Sequence, residues 1–493
     1  MEHELSVQMR LYTMSKRHFV LVFATFFACF GLTLLIGVAG PSVINATVEQ
    51  ATHLSMKPPD LKVGPFQLTS PTLSTFNQQL WLMCDIELAE RSNGAFEQNF
   101  NLSVAITGRE RDASMVMVNT ISYNRSRCLR CSQKCNEIIV LHLGFLDYTK
   151  YLVRVQFQGL EQIVHVMQEV NFTFKVYNAA FTQVEIWFRF VFLLLTFLVT
   201  CLFAHSLRKF SMRDWAIEQK WMAILLPLLL LYNDPIFPLS FLVNSWVPGL
   251  LDAIFQASFL SALLLFWLCV YHGIRTQSNR RFFTFYLPKL LIVGLLWVAA
   301  VTLGIWQTMN ELQDPTFQYR VDTGNFEGMK IFFFVVGAMY ILYLVFLIVR
   351  ACTELRNMPY FDLRLKFLTV LTLVVLVISI TILFLRFGSQ VLQDNFISQL
   401  STHYQNYILR PGGPEAASFL SFYGLLNFYL YTLAFVYSPS KNAVYESQLK
   451  DNPTFSMLND SDDDVIYGTD HEELPLQNGR SMRTSYHDGS DSD

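Results

Sequence analysis

The chain has 493 residues, of which 52% are hydrophobic and only 15% are charged, with 36 Lys and Arg against 39 Asp and Glu. So few charges cannot cover the surface of a water-soluble protein of this length, which excludes an ordinary soluble globular domain. The near-neutral balance, without a basic segment that carries interleaved aromatic residues, argues against a nucleic-acid partner.

Eight apolar stretches predict membrane spans. Each is long enough to cross a hydrocarbon core of about 30 Å as an α-helix. The first stretch stands alone near the beginning of the chain, and the other seven follow a more polar segment, residues 40–185. The pattern predicts a multi-pass α-helical membrane protein with one large segment outside the membrane. The predicted spans are 19–39, 186–205, 222–243, 253–271, 290–309, 331–349, 367–385 and 416–436.

The first span, which follows residues 1–18, has two possible fates. Its apolar region is longer than the 7–15 residues that are usual in a signal peptide, which favours a retained signal anchor. Small residues at Gly37, Val38 and Ala39 have a cleavage-like spacing and keep a cleaved signal peptide open as the alternative. Either outcome leaves residues 40–185 on the same side of the membrane.

The short loops predict the orientation of the seven-span bundle, residues 186–436. Loops 206–221, 272–289 and 350–366 each hold four Lys or Arg, whereas the alternating loops 244–252, 310–330 and 386–415 hold none, two and two. Basic residues accumulate in cytoplasmic loops. We therefore expect both termini in the cytosol and residues 40–185 in the lumen or outside the cell.

Residues 40–185 switch to a period of two, which is typical of strands with one buried face. Apolar residues alternate in 80–88, 100–106, 153–157 and 170–176. Turn residues at Asn93-Gly94 and Thr107-Gly108 separate the strands and favour an antiparallel, all-β sandwich. A passive glycosylated cap is the alternative to a ligand-binding ectodomain.

Sequons and cysteines agree with an oxidising, lumenal address. Four sequons fall in this segment and predict N-glycosylation. Four cysteines predict disulfide bonds, with a zinc site as the alternative, and their connectivity is open among three possibilities. The sequon residues are Asn45, Asn101, Asn124 and Asn171, and the disulfide candidates are Cys84, Cys128, Cys131 and Cys135.

The most unusual membrane segment contains Asn233, Asp234 and Pro235 inside the span 222–243. A carboxylate there is expensive and must face the bundle interior, find a partner or be protonated. A ligand or proton site is one interpretation, and a structural kink with a polar pin is the other. Glu185, Arg189, Arg386 and Asn427 are the possible partners, although we expect Arg189 to extend to the interface as an anchor.

Catalytic and cofactor motifs are absent from the sequence. His205 and His272 are the histidines near the membrane, and both are predicted at cytosolic ends. A phosphate-binding loop, a Ser-centred elbow and a His pair for a metal are all missing. We therefore expect no enzyme activity, no cofactor and no metal.

The tail, residues 437–493, holds twelve Asp and Glu against four Lys and Arg and is predicted to be disordered and cytosolic. Asn452, Pro453 and Phe455 form an Asn-Pro-x-Phe turn that resembles sorting signals for cytosolic adaptors. Ser461 precedes three Asp residues and is a candidate phosphorylation site. A solvated linker without a trafficking role is the alternative.

Four long runs resemble the GOLD-domain seven-transmembrane group that also contains Wntless. They are RLYTMSKRHF at 10–19, RKFSMRDW at 208–215, LYNDP at 231–235 and FYLYTLAFVYSP at 428–439. The resemblance implies a GOLD-type sandwich before a Wntless-like bundle. It also implies work at the plasma membrane or in the Golgi–endosomal secretory pathway, and no ligand residues carry over.

Three functions are compatible with these features. The leading hypothesis is a non-enzymatic receptor that binds an extracellular or lumenal protein through its ectodomain and the bundle mouth, with membrane lipid around the bundle. The first alternative is a carrier of secreted or lipidated cargo proteins. The second alternative is a transporter or channel that uses Asp234.

Overall fold

The computed structural model describes most of the sandwich and the bundle. Arg386, Asn93-Gly94 and the tail residues Asn452, Pro453, Phe455 and Ser461 lie outside the described residues, so the predictions made for them stay predictions. The described residues are 7–50, 63–89, 96–109, 115–116, 122–131, 135–144, 146–243, 245–275, 282–324, 326–355, 366–367, 369–378, 415–441 and 443.

The segment between the first two spans folds into two antiparallel sheets, which confirms the predicted sandwich. One sheet has the strand order β1-β9-β3-β7, and the other has the order β2-β8-β4-β5 with β6 also paired to β4. The strands are β1 Ile44–Gln50, β2 Phe66–Thr69, β3 Leu80–Leu88, β4 Phe96–Arg109, β5 Met115–Val116, β6 Tyr123–Cys131, β7 Ile138–Leu143, β8 Lys150–Gln158 and β9 Met167–Tyr177.

Alternating burial explains why these residues form a sandwich. In β8, Tyr151, Val153, Val155 and Phe157 are buried while the residues between them are more exposed, so every second side chain enters the space between the sheets. The expected turn at residues 107–108 was wrong. Those residues continue β4, because their backbone pairs with β8.

The cysteine pattern yields one disulfide bond among the described residues. Cys131 and Cys135 are bonded across the connection from β6 to β7, which excludes these two thiols from a zinc site. Cys84 is a buried thiol inside the sandwich, and burial, with a smaller effect of Asp85, raises the pKa of that thiol. Cys128 is half-buried and unpaired.

The remaining described elements are mainly long helices, and seven helical segments are long and apolar enough to cross a membrane when α4 is counted together with the turns that follow it up to Phe241. The short α10 is the described part of the predicted span 367–385. The helices are α1 Arg10–Thr13, α2 Lys16–Ala39, α3 Ala179–Leu207, α4 Ile217–Tyr232, α5 Val247–Arg275, α6 Phe282–Phe285, α7 Leu287–Gln313, α8 Tyr319–Asp322, α9 Phe326–Leu355, α10 Thr369–Ile378 and α11 Glu415–Tyr437.

The first span packs against the last one at a close approach. A Cβ atom on Gly424 of α11 would lie 2.7 Å from Cγ2 of Thr33 in α2, so only glycine fits there without displacement. Next to these two helices, the backbone N–H of Arg10 donates to Ser438 O at 2.9 Å, and the N–H of Ser440 donates to Gln8 O at 2.8 Å. The first span thus packs as part of the bundle, and its retention as a signal anchor stays a prediction.

Candidate functional site between the sandwich and the bundle

A buried charge cluster lies where the helices meet the sandwich. Arg189 of α3 contacts three carboxylates: Glu185 at 2.9 Å, Asp252 at 3.3 Å and Asp234 at 3.6 Å. We call these four residues the Arg189 cluster. Glu185 is fully buried and Arg189 is 3% exposed. Arg189 is therefore not the interface anchor expected from the sequence, because its guanidinium group points into a set of acids rather than out to water.

Local sequence explains how the cluster forms. Glu185 and Arg189 are four residues apart on α3 and so lie on the same face of the helix. The α4 helix ends at Tyr232, before Pro235, which has no backbone N–H to continue it. Asp234 follows with a φ of 50°, and its side chain accepts the N–H of Ile236 at 3.1 Å.

Charge and aromatic contacts hold the guanidinium group in place. With all groups ionised, three carboxylates against one guanidinium give the cluster a formal charge of −2. Phe237 places its ring 4.2 Å from the Arg189 guanidinium carbon, a distance suited to a cation–π contact. Gln256 donates to Asp252 at 2.8 Å and satisfies part of that carboxylate. Removal of Arg189 would leave the acids without their shared cation.

A second polar network lies beside the cluster and is neutral. The side-chain amides of Asn233 and Asn427 donate to each other at 2.9 and 3.1 Å. Asn233 also donates to Thr196 at 2.7 Å, and Tyr431 bonds to both Thr196 and Asn427. We call this group the Asn233 network. It joins α3, α4 and α11, whereas the adjacent Asp234 belongs to the Arg189 cluster.

One turn of the sandwich rests directly above the Arg189 cluster. Gln78 donates its side-chain amide to the Thr182 hydroxyl at 3.0 Å, and that hydroxyl donates to Phe76 O at 2.8 Å. The rings of Phe76 and Phe241 lie 5.5 Å apart. We call this set the Thr182 contact. It joins the sandwich to the end of α3 that carries Glu185.

Backbone strain occurs in both the Thr182 contact and the Arg189 cluster. Gln78 of the contact and Asp234 of the cluster each have a positive φ of 50°, and no other described non-glycine residue does. Such conformations cost on the order of 1–3 kcal/mol each and concentrate at functional sites. The surrounding structure must therefore hold both residues in place.

A second contact docks the sandwich on the loop between α7 and α9. Arg127 of β6 forms a buried, two-pronged ion pair with Asp322 at 2.8 and 3.0 Å, and Arg125 reaches Asp314 at 2.6 Å. The backbone of His142 in β7 donates to Pro315 O at 2.8 Å. We call this set the β7 contact. The loop covers the open edge of the sheet, which would otherwise present unpaired backbone groups.

His142 is buried inside the β7 contact. Its ring is stacked on Trp81 with centroids 4.8 Å apart, and its Nδ1 lies 3.7 Å from a carboxylate oxygen of Glu311 at the end of α7. Burial lowers the pKa of His142 to about 4. The imidazole is therefore neutral while this contact is closed at neutral pH.

The sequons occupy different environments on the sandwich. Asn45, Asn101 and Asn124 are exposed, which suits attachment of a glycan. Asn171 lies on the inner strand β9 and is half-buried, with its side-chain oxygen fully covered. Glycosylation at all four stays a prediction, and Asn171 is the least accessible of them.

Sequence reasoning named Glu185, Arg189, Asp234 and Asn427, and the structure brings the first three together while Asn427 joins Asn233. It missed Asp252, although a carboxylate just before the predicted span 253–271 was a visible signal. It also missed the two arginines of the β7 contact. Nothing in a strand pattern indicates which loop its charged side chains meet.

The fold and these contacts define a class of protein: a multi-pass membrane protein whose β-sandwich domain is docked on a helical bundle. Residues 64–177 match the family described as "TMEM181, GOLD domain", and residues 178–441 match "Wntless-like, transmembrane domain". The human protein named Transmembrane protein 181 is 65% identical over 485 residues, 98% of this chain and 99% of that protein. The chain belongs to the transmembrane protein 181 family, which confirms the GOLD-domain and Wntless-like resemblance.

Proposed function

We propose that the protein is a non-enzymatic membrane receptor. It binds an extracellular or lumenal protein through its GOLD-type sandwich and the adjoining bundle mouth. Binding is passed to the helices through the Thr182 contact. The observation that carries this proposal is a row of three α3 residues, Thr182, Glu185 and Arg189, which connects a turn of the sandwich to the ends of α4 and α5.

The row has the geometry of a mechanical connection. Its members are three and four residues apart, so they lie on one helix face over about 10 Å at a rise of about 1.5 Å per residue. Thr182 bonds to the sandwich at one end of the row. Arg189 binds Asp234 and Asp252 on neighbouring helices at the other end. A shift of the sandwich turn therefore acts on three helices at once.

The two docking contacts support coupling rather than a passive cap. Because the Thr182 contact and the β7 contact join the sandwich to different helices, the sandwich cannot move as a unit without breaking one of them. Breaking a buried pair such as Arg127–Asp322 by removing one partner costs about 3–5 kcal/mol. A flexible glycosylated cap would not need such contacts.

One observation favours a transporter or channel as a second candidate. Three carboxylates share one arginine on helical segments long and apolar enough to cross a membrane, and intramembrane acids often mark ion or proton pathways. The purified protein in liposomes tests this candidate. An ion or proton flux that is abolished by Asp234→Asn would support a transporter or channel instead of a receptor.

The receptor proposal is tested on intact cells that carry the full-length protein. A membrane-impermeant crosslinker captures partners from surface-labelled material, and Golgi-enriched membranes are treated in parallel. We expect a secreted or lumenal protein that then binds the purified receptor directly. A partner confined to the Golgi fraction would instead support the cargo carrier, and no such protein in either fraction would overturn the proposal.

Coupling is tested with the captured partner and two matched variants. Ligand should slow hydrogen exchange of the α3 segment around Arg189 in the wild type. Thr182→Val should bind ligand but lose this protection, because the hydroxyl that meets Gln78 and Phe76 is gone. Thr200→Val is the control, since the Thr200 hydroxyl bonds only within its own helix, to Thr196 O at 2.7 Å. Equal protection in all three proteins would contradict the coupling.

A further inference from the structure

The connection between α3 and α4 carries positive charge without matching negative charge. We call residues 208–220 the α3–α4 turn. Its exposed cations are Lys209, Arg213 and Lys220, together with Arg208, which caps α3 and suits the dipole of that helix. Within the described part of the chain, none of these cations forms an ion pair with a carboxylate. By contrast, the arginines of the β7 contact and of the Arg189 cluster are all paired with acids.

The α3–α4 turn has an ordered backbone. The N–H of Asp214 donates to Ser211 O at 3.0 Å, and the indole N–H of Trp215 donates to Phe210 O at 3.3 Å. The N-terminal segment is attached to it, since the N–H of Val7 donates to Asp214 O at 3.0 Å. Basic residues that only orient a protein in the membrane need no such order. Cations held on a fixed backbone lose less conformational freedom when they bind a ligand than cations on a disordered segment.

Two of the cations converge although they are seven residues apart in the chain. The Lys220 ammonium group donates to Arg213 O at 3.3 Å, which brings it to the backbone of the residue that carries the guanidinium group. Both groups form strong, charge-assisted hydrogen bonds with phosphate oxygens. Two positive charges that project from one place therefore suit a ligand with more than one phosphate charge.

An exposed apolar side chain lies among these cations. Met212 is 70% exposed and directly precedes Arg213. The turn follows α3, which is long and apolar enough to cross a membrane. An apolar side chain between basic ones fits the boundary of a bilayer, where acyl chains cover the apolar part and anionic headgroups meet the charges. This setting favours a lipid over a soluble anion.

The beginning of α2 adds two cations at the same end of the bundle. Lys16 and Arg17 are exposed in the first turn of α2, which contains no acidic residue. Cations are unfavourable there, because the N-terminal end of a helix dipole is positive. Neither residue has a carboxylate partner within the described residues. Anionic headgroups around this end would offset that cost.

We propose that the α3–α4 turn binds a phospholipid whose headgroup carries several phosphate charges, a lipid of the phosphoinositide class. Arg213 and Lys220 bind the phosphates, Lys209 adds attraction, and Met212 enters the lipid layer. The distribution of Lys and Arg in the loops predicts that this end of the bundle is cytosolic. The inference goes beyond the proposed receptor function and does not depend on it.

Native mass spectrometry of the full-length protein tests the proposal in detergent micelles that contain phosphatidylcholine and phosphatidylinositol bisphosphate in equal amounts. We expect the wild type to retain the bisphosphate lipid. The double variant Arg213→Gln, Lys220→Gln should bind it about 25-fold more weakly, which is about fivefold for each lost charge. The matched control is Lys150→Gln with Arg154→Gln, because it removes two exposed cations from the sandwich and should bind like the wild type. Equal binding by all three proteins would overturn the proposal, as would no preference for the bisphosphate lipid in the wild type.

A charge-preserving exchange separates the role of charge from local folding. Arg213→Lys with Lys220→Arg alters both side chains and keeps both charges, so it should bind the bisphosphate lipid like the wild type. A loss as large as that of the two glutamine changes would contradict a role of charge.

The free headgroup distinguishes a lipid from a soluble phosphate compound. Inositol trisphosphate should bind the wild type more weakly than the lipid does, and Met212→Ser should weaken binding of the lipid alone. If inositol trisphosphate binds as tightly as the lipid, the turn is a site for a soluble phosphate and the lipid proposal is wrong. Failure of the receptor proposal appears separately, as absence of a captured partner.

Discussion

The Asn233 network and the Arg189 cluster each contain one of two adjacent residues, Asn233 and Asp234, and the two groups differ in chemistry. The Asn233 network is neutral, its amides bond to each other, and it joins three helices to one another. The Arg189 cluster is charged, carries more acid than base and lies under a turn of the sandwich. The polar-pin interpretation therefore suits Asn233, and the functional interpretation suits Asp234.

The comparison shows that the interrupted end of one helix can contribute to two separate polar groups. The α4 helix ends at Tyr232, and the next two residues send their side chains into separate networks. A fully bonded neutral network stabilises a single arrangement of helices. A cluster in which three carboxyl groups share one guanidinium group is sensitive to a displacement of any of them, which is useful where a signal must pass.

The largest loss of stability should come from removing the cation of the Arg189 cluster. Arg189→Leu leaves Glu185 and two aspartates without their cation, and loss of one partner of a buried ion pair costs about 3–5 kcal/mol. We expect membrane abundance and thermal stability to fall sharply. Arg208→Leu, at an exposed position just beyond the end of α3, is the matched control. A stable Arg189→Leu protein would show that the cluster does not hold the helices.

A smaller loss of stability should follow from removing an amide of the Asn233 network. Asn427→Leu strands the buried polar atoms of Asn233, Thr196 and Tyr431, at a cost of about 1–3 kcal/mol. Thermal unfolding in nanodiscs measures the loss. The double variant with Asn233→Leu should cost less than the sum of the two single changes, because both remove the same hydrogen bonds. Strict additivity would mean that the two amides act independently.

Asp234→Asn should separate stability from function. Asparagine keeps the shape of the side chain and removes its charge, so abundance should stay close to that of the wild type. Ligand-induced protection of α3 should be lost, because Arg189 no longer meets a charge on α4. Asp234→Leu should also lower abundance by leaving the N–H of Ile236 without its acceptor. A fully active and normally abundant Asp234→Leu protein would contradict both the functional-site and the polar-pin interpretation of Asp234.

The smallest effects are expected from removal of single glycans. These variants test on which side of the membrane the sandwich lies. Single Asn→Gln variants at Asn45, Asn101 and Asn124 should each increase electrophoretic mobility by one glycan and leave stability unchanged, because these residues are exposed. Asn171→Gln should give the smallest shift. If glycosidase treatment shifts neither the wild type nor any variant, the sandwich faces the cytosol and the Arg189 cluster is not at the lumenal end.

The architecture could be predicted from the amino-acid pattern alone. Apolar length defined the spans, and alternation defined β3, β4, β8 and β9 to within a few residues, because both patterns depend only on neighbours along the chain. It also indicated Asp234 as costly enough to need a partner. Local signals failed at residues 107–108, where a turn-like pair is held in β4 by pairing with β8.

The partners of these residues became clear from the folded structure and not from the sequence. Asp252 reaches Arg189 because α4 packs against both α3 and α5, and Cys131 pairs with Cys135 while Cys84 stays a thiol inside the sandwich. The ion pair between Arg127 and Asp322 joins residues that are far apart in the chain. Burial and charge pairing depend on which surfaces come together in space, and a one-dimensional pattern holds no record of those neighbours.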